Sequence, residues 1–352
     1  MKENVDTTQS LIKVLDEYFE SRLTQARTIS PYYENLWAEI TRLVHAGGKK
    51  LRPKMTLMAY QAFGGQDVEK VLPIAAAQEL LHVGLLIHDD VIDRDTIRYG
   101  VNNIEGEYGS IYESLVGDED ERGHYAKSAA ILAGDVLISG AYQLILESNA
   151  EPEHIVQVQR ILATGIFEVI GGELIDTESV FREAGSIPSE TVARYKTASY
   201  SFITPLLIGA ILAGASEQDQ QRIREFAESV GLALQLRDDL IGLFGDESVT
   251  GKSTVGDIRE GKRTYLVEQF EQLSNSEQKA QFAQYYGRHA ITNEDAETVR
   301  ELIINSGAKQ KAEDAILTLE DKAHAALHGL SIDQQQVSQF HNLIALATRR
   351  DK

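Results

Sequence analysis

Apolar residues recur at intervals of three and four along most of the chain, as in Leu11, Val14, Leu15, Tyr18 and Phe19, and strict alternation is almost absent. Only six prolines interrupt the pattern. It predicts an all-α fold, with helices at about 7–29, 31–46, 52–64, 70–97, 124–149, 153–183, 189–214 and 216–244 and four or five shorter ones between about 262 and 350. Ser30 before Pro31, Ser216 with Asp219, Thr292 with Asp295 and Ser331 with Gln334 resemble N-caps, the last as a capping box. Gly185 and Gly329 read as stops, and the acidic run Gly117 to Arg122 reads as a solvated loop. The helices at 70–97 and 216–244 are apolar over much of their surface, which predicts a central place for both in a bundle.

Composition narrows the class. A chain of 352 residues with 43% apolar residues and no glycine- or serine-rich linker can bury a large core, and a single domain over 1–352 is expected. The 34 basic and 54 acidic residues leave a net charge of −20, which disfavours nucleic acid and anionic membrane as partners. An anionic substrate would need local cations. With no cysteine, disulfides and thiolate metal sites are excluded. The N-terminus lacks a basic-then-apolar signal pattern, and the longest apolar stretch, Pro205 to Ala215, falls well short of a membrane span. A soluble, cytoplasmic protein without stable membrane insertion is expected.

The chemistry concentrates in two acidic clusters that each close an apolar helical run: DDVID at Asp89 to Asp93 and DDLIG at Asp238 to Gly242. Residues four apart share a helix face, so Asp89 and Asp93 can aim at one point. Like charges stacked in this way repel. One such pair alone is often a solvated face, but this one recurs about 150 residues later in the same setting. Magnesium, which takes carboxylate oxygens together with substrate phosphates, is the cation that fits, with more than one ion expected per site. Two parallel helices would bring the clusters face to face across one cavity.

Basic residues stand beside glycines in GGKKLRP (Gly47 to Pro53), IRYG (Ile97 to Gly100), GKSTVGD (Gly251 to Asp257) and REGKRT (Arg259 to Thr264). Glycine lets backbone N–H groups approach a bulky anion, and cations beside carboxylate-held magnesium suit a diphosphate. GKS at 251–253 is not an NTPase phosphate loop, because Gly245 lies one residue too far upstream and no strand leads in. Glu79 to His82 fits a di-iron motif, but its formal partner at Glu151 to His154 is interrupted by Pro152. His324 and His328 are four apart, which an exposed helix face explains.

From about Ala46 to Thr264 the chain resembles the trans-isoprenyl diphosphate synthases, the polyprenyl synthetase family that includes farnesyl and geranylgeranyl diphosphate synthases. GGKKLRP, ELLHVGLLIHDDVID, YKTAS and LQLRDDLIGLFGD carry the likeness in that order. The resemblance implies a helical bundle around a central cavity, usually as a homodimer. It implies condensation of isopentenyl diphosphate with an allylic diphosphate. Lys49, Arg52 and His82 then correspond to residues holding isopentenyl diphosphate, and Asp89, Asp93 and Asp238 to magnesium ligands. Arg98, Lys196, Thr197, Gln235, Lys252 and Lys262 correspond to the grip on the allylic diphosphate, with Asp90 and Asp239 acting less directly. Lys196 and Lys252 are counted with the three aspartates as catalytic.

The chain also departs from the family pattern. Tyr99 stands where a second arginine is usual, Gly242 where the last aspartate of the second cluster is usual, and Glu173 where glutamine is common. Arg349 and Arg350 resemble a basic tail able to close the site. Leu85 and Leu81 lie one and two turns below Asp89, on the expected path of the growing chain. Gly84, five residues before Asp89, leaves a gap where the family's short-chain members carry a bulky aromatic, implying products of twenty carbons or more. Tyr99 and Gly242 keep open a catalytically weak regulatory subunit as an alternative, and a class I terpene cyclase is another.

Overall fold

The computed structural model describes residues 7–183, 185–245, 254–288 and 290–349. Among them the chain is helical apart from one small hairpin. Its contacts gather into two compact units, 1–57 with 65–159, and 58–64 with 160–352.

The first unit holds α1 (Thr7–Ile29), α2 (Pro31–Ala46), the start of α3 (Leu51–Ala62), α4 (Val68–Asp93), α5 (Ile104–Ile111) and α6 (Glu119–Leu146). Ser30 caps α2 by accepting a hydrogen bond from the Tyr33 N–H, with Pro31 in the first turn. Leu11, Leu15 and Phe19 of α1, Trp37 and Ile40 of α2, and Ile74 and Leu80 of α4 are buried together with Leu137 of α6. Each such side chain contributes about 1.5–3 kcal/mol relative to exposure. α4 and α6 make the most extensive helix pair of the unit, and glycine allows their close approach. A Cβ on Gly84 would stand 3.0 Å from the Gly134 carbonyl oxygen and 3.2 Å from both Leu137 and Ile138. The gap expected at Gly84 is therefore absent, because the neighbouring helix fills it.

α4 stops at Asp93, short of the expected 97, because Arg94 turns left-handed (φ 61°) and the chain enters a hairpin. Strand β1 (Ile97–Arg98) pairs antiparallel with β2 (Val101–Asn102), and Tyr99 and Gly100 form the two-residue turn, both at positive φ as a type I′ turn requires. Most of the predicted acidic loop, Glu119 to Arg122, is helix. Asp118 caps α6 by accepting from the Glu121 N–H, and Glu119, Asp120 and Glu121 complement the positive end of the helix.

The second unit holds most of α7 (Pro152–Ser179), then α8 (Ser189–Val192), a π-helical segment (Ala193–Ile203), α9 (Thr204–Leu212) and α10 (Glu217–Phe244). After them come α11 (Gly256–Glu260), α12 (Tyr265–Leu273), α13 (Ser276–Tyr285), α14 (Asn293–Asn305), α15 (Ala308–His328) and α16 (Val337–Thr348). α10 packs against α15, α16 and the π segment, and its Leu236, Leu240 and Leu243 join Phe270, Phe282, Val299 and Ile303 in one core. Ser216 caps α10, and Thr292 closes a capping box with Asp295. The box expected at Ser331 does not form: its N–H donates to Asp219 instead, and α16 begins at Val337. The π segment interrupts the helix expected at 189–214. Pro205 lacks the N–H that an uninterrupted α ladder would need, and the Thr204 N–H reaches back five residues to the Ser199 carbonyl.

Three helices, α4, α6 and α7, reach the length and mean hydropathy of a membrane span over 18 residues. Their apolar residues form no single run because polar ones break it, among them Gln78 and Glu79 in α4, Asp135 in α6 and Glu168 in α7. The α4 window is 72% buried within the protein, that of α7 only 28%.

Candidate functional site

In the first unit, α4, the hairpin and the glycine loop with the start of α3 carry half of the expected residues. Asp89 is half-buried and Asp93 exposed at the negative end of the α4 dipole, where carboxylates are disfavoured without a cation. Asp90, on the other face, is 2% exposed and points inward. It accepts from Arg98 Nε at 2.9 Å and from Asn103 Nδ2 at 2.9 Å, and a second bond comes from Arg98 Nη2. Arg98 Nη2 also lies 3.7 Å from Asp89. Asp90 thus anchors the hairpin arginine beside the first cluster. Burial pushes its carboxyl up, against the pull of Arg98 and Asn103.

The two lysines of GGKK have different tasks. Lys50 donates to the carbonyls of Val44 (2.8 Å) and Gly47 (3.0 Å) and pairs with the buried Glu79 at 3.1 Å. This ties down the loop and takes up Glu79, leaving it no part in a di-iron site. Lys49 is exposed, as expected for a substrate cation. Burial, with Arg52, Lys50 and Arg98 nearby, holds the His82 imidazole well below its ordinary pKa. His82 is therefore neutral at physiological pH and interacts through a ring N–H, not as a charge.

In the second unit, the π segment lies between α7 and α10, both of which approach it through glycine. A Cβ on Gly172 would fall within 3 Å of the Tyr195 and Lys196 backbone, and one on Gly231 would fall 2.7 Å from Ala198. Lys196 Nζ pairs with Glu173 Oε2 (2.9 Å) and Asp176 Oδ2 (2.7 Å). Glu173, the unexpected acid, is thus a partner of the predicted lysine. Thr197 Oγ1 donates to Gln235 Oε1 at 2.7 Å, and Gln235 Nε2 donates to Asp239 Oδ1 at 2.9 Å. Asp239 is buried, and desolvation raises its carboxyl to about 7, with Asp257 and Asp238 adding to the shift while Gln235 opposes it.

Asp238 stands beside Asp239 on α10, half-buried, and Gly242 follows one turn later. A side chain at 242 would collide with the Asp257 carboxylate, which fills the space. Asp257 also pairs with Lys262 at 3.1 Å, and Glu260 does so at 3.2 Å. Asp257, the last residue of GKSTVGD, is a site residue that the local pattern does not single out. Lys252, Gly251 and Ser253 lie outside the described residues, as does Arg350. Arg349 pairs with Glu320 at 2.7 Å.

Among the described residues no three metal-ligating side chains cluster in one place, His324 and His328 included. Within each unit the residues fit the ion by donor type: Asp89 and Asp93 in the first and Asp238 in the second offer hard carboxylate oxygens, which magnesium takes alongside phosphate.

Similarity to known proteins extends over most of the chain. The chain is 30% identical over 275 residues to a geranylgeranyl diphosphate synthase of Methanosarcina mazei, covering 78% of each. It is 29% identical to a geranylfarnesyl diphosphate synthase of Aeropyrum pernix, covering 86% of this chain and 90% of that one. The fold superposes with a TM-score of 0.89 on a geranylgeranyl pyrophosphate synthase of Corynebacterium glutamicum, solved with isoprenyl diphosphate and magnesium, at 29% identity and 98% coverage of both chains. A model of the polyprenyl synthetase family matches residues 34–303, a stretch that holds both aspartate clusters, the hairpin arginine and the π-helical lysine, and the chain belongs to that family.

Proposed function

We infer that the protein is a trans-prenyltransferase that joins isopentenyl diphosphate to an allylic diphosphate, releases diphosphate and builds chains of twenty carbons or more. The observation that carries the reading is Arg98, fixed by Asp90 and set beside Asp89 at the end of α4. A cation and carboxylates presented together are what a magnesium-bound diphosphate requires. Asp89, Asp93 and Asp238 would hold the metal, which supplies charge neutralisation of the leaving group.

The chain's own residues account for the remaining tasks. Arg98, Lys196, Lys252 and Lys262 stabilise charge on the departing oxygen as the allylic carbon–oxygen bond breaks. Lys196 exchanges its Glu173 and Asp176 partners for phosphate oxygens. Thr197 and Gln235 are held in place by the hydrogen bonds that run to Asp239. Lys49, Arg52 and neutral His82 bind the second diphosphate, so that the isopentenyl double bond forms the new carbon–carbon bond. The final proton leaves to the released diphosphate. Leu85 and Leu81 are the apolar lining offered to the growing tail. The whole chain acts as one catalytic domain.

Incubation with labelled isopentenyl diphosphate, an allylic primer and magnesium tests the reading. The expected result is a product of twenty carbons or longer. Primer consumed without isopentenyl incorporation, or no turnover at all, would overturn it.

The enzyme works as a soluble cytoplasmic homodimer on this reading. Phe167, Ile170 and Leu174 share one face of α7 and are 80%, 55% and 67% exposed, an apolar stripe that a second copy would cover. Sedimentation should give twice the mass of one chain, and the pair Phe167→Glu and Leu174→Glu should give a single chain. A wild-type monomer at micromolar concentration would refute the dimer.

A further inference from the structure

Left-handed backbone is rare outside glycine, and among the described residues only Lys50, Arg94 and Tyr99 adopt it. All three border the first aspartate cluster or the glycine loop. Tyr99 occupies a type I′ turn position that favours asparagine, aspartate or glycine, so something must compensate for an aromatic there. The compensation is visible in the packing. The Tyr99 ring lies directly over Gly47: a Cβ added there would stand 2.7 Å from Cγ, 2.9 Å from Cδ1 and 3.0 Å from Cβ of Tyr99. Its hydroxyl, Lys50 Nζ and Glu79 Oε1 all lie within 4 Å of the point where a Cβ of Gly48 would stand, and Gly48 itself has φ +93°. Tyr99 as a whole residue is 39% exposed.

We propose that Tyr99 is a positioning residue: its ring is a plate that clamps the Gly47–Gly48 turn, fixing the loop that presents Lys49 and Arg52 to the second diphosphate. The inference rests on the prenyltransferase reading for the identity of that ligand. Tyr99 contributes shape and carries no charge to the site. Lys50, Glu79 and the Tyr99 hydroxyl meet around Gly48, while the Tyr99 ring covers Gly47.

Four variants test the clamp. Gly47→Ala forces the ring away and should raise the KM for isopentenyl diphosphate about tenfold, leaving the KM for the allylic primer within twofold. Tyr99→Ala should do the same, while Tyr99→Phe keeps the plate and should stay within twofold of wild type for both. In the double variant Gly47→Ala with Tyr99→Ala the collision is gone, so its KM should not exceed that of Tyr99→Ala alone. Thermal midpoints give a second readout that needs no turnover: Gly47→Ala should lower the midpoint by about 2–4 °C when Tyr99 is present and by less than 1 °C in the Tyr99→Ala background. Multiplicative effects in the double variant, a parallel rise in both KM values, or a tenfold loss in Tyr99→Phe would overturn the clamp. If wild type fails to incorporate isopentenyl diphosphate, the functional reading falls, and the thermal cycle alone decides the clamp.

Discussion

Asp89→Ala is expected to lower product formation by a factor on the order of 10³, the loss seen when one preorganised contact to developing charge is removed. Thermal midpoint and helical content should stay near wild type. Asp89 is half-buried at a helix end, where removing a carboxylate relieves repulsion with Asp93 and with the α4 dipole, so the fold has little to lose. The contrast with its neighbour makes the test specific. Asp90 holds Arg98 and Asn103 from a buried position, and Asp90→Ala should cost stability as well as rate, because two donors lose their acceptor. An Asp89→Ala enzyme retaining more than a tenth of wild-type turnover in magnesium would exclude Asp89 as a metal ligand.

Gly84→Phe should destabilise the fold by about 3 kcal/mol or more, read as a lower denaturant midpoint. The fifth residue before the aspartates meets the Gly134 carbonyl and the Leu137 and Ile138 side chains, leaving no room for a ring. Overpacking of this kind spreads α4 from α6, the pair on which the first unit depends. The substitution is therefore expected to harm folding before it can trim the product. A stable Gly84→Phe protein making a cleanly shorter chain would show that the ring finds space on the product side after all.

The helices and both aspartate clusters were legible because their signals are local. Spacing of three and four, Ser30 before Pro31 and Thr292 with Asp295 each act within one or two turns. Aspartates that oppose their own helix declared a need for cations. What escaped depends on distant partners. Nothing near Gly84 in sequence reveals that Gly134 faces it, and nothing near Gly242 reveals Asp257 in its place. The hairpin at 97–102 was too short for alternation to register. Pro205 was the local hint of the π segment, but a proline near a helix start is usually benign. Lys50 and Lys49 are alike in sequence, and only the buried Glu79 separates the anchoring lysine from the exposed one.

The ladder that closes on the fifth residue before Thr204 also bears on how this enzyme can be re-engineered. Transplanting the stretch around Lys196 and Thr197 from a relative is a matter of phase as much as of letters. One residue gained or lost there would swing both side chains by about 100° around the axis, while everything beyond Pro205 kept its place. Chimeras joined inside 193–203 must therefore conserve the residue count, and the fully buried turns of α9 that follow impose the same demand.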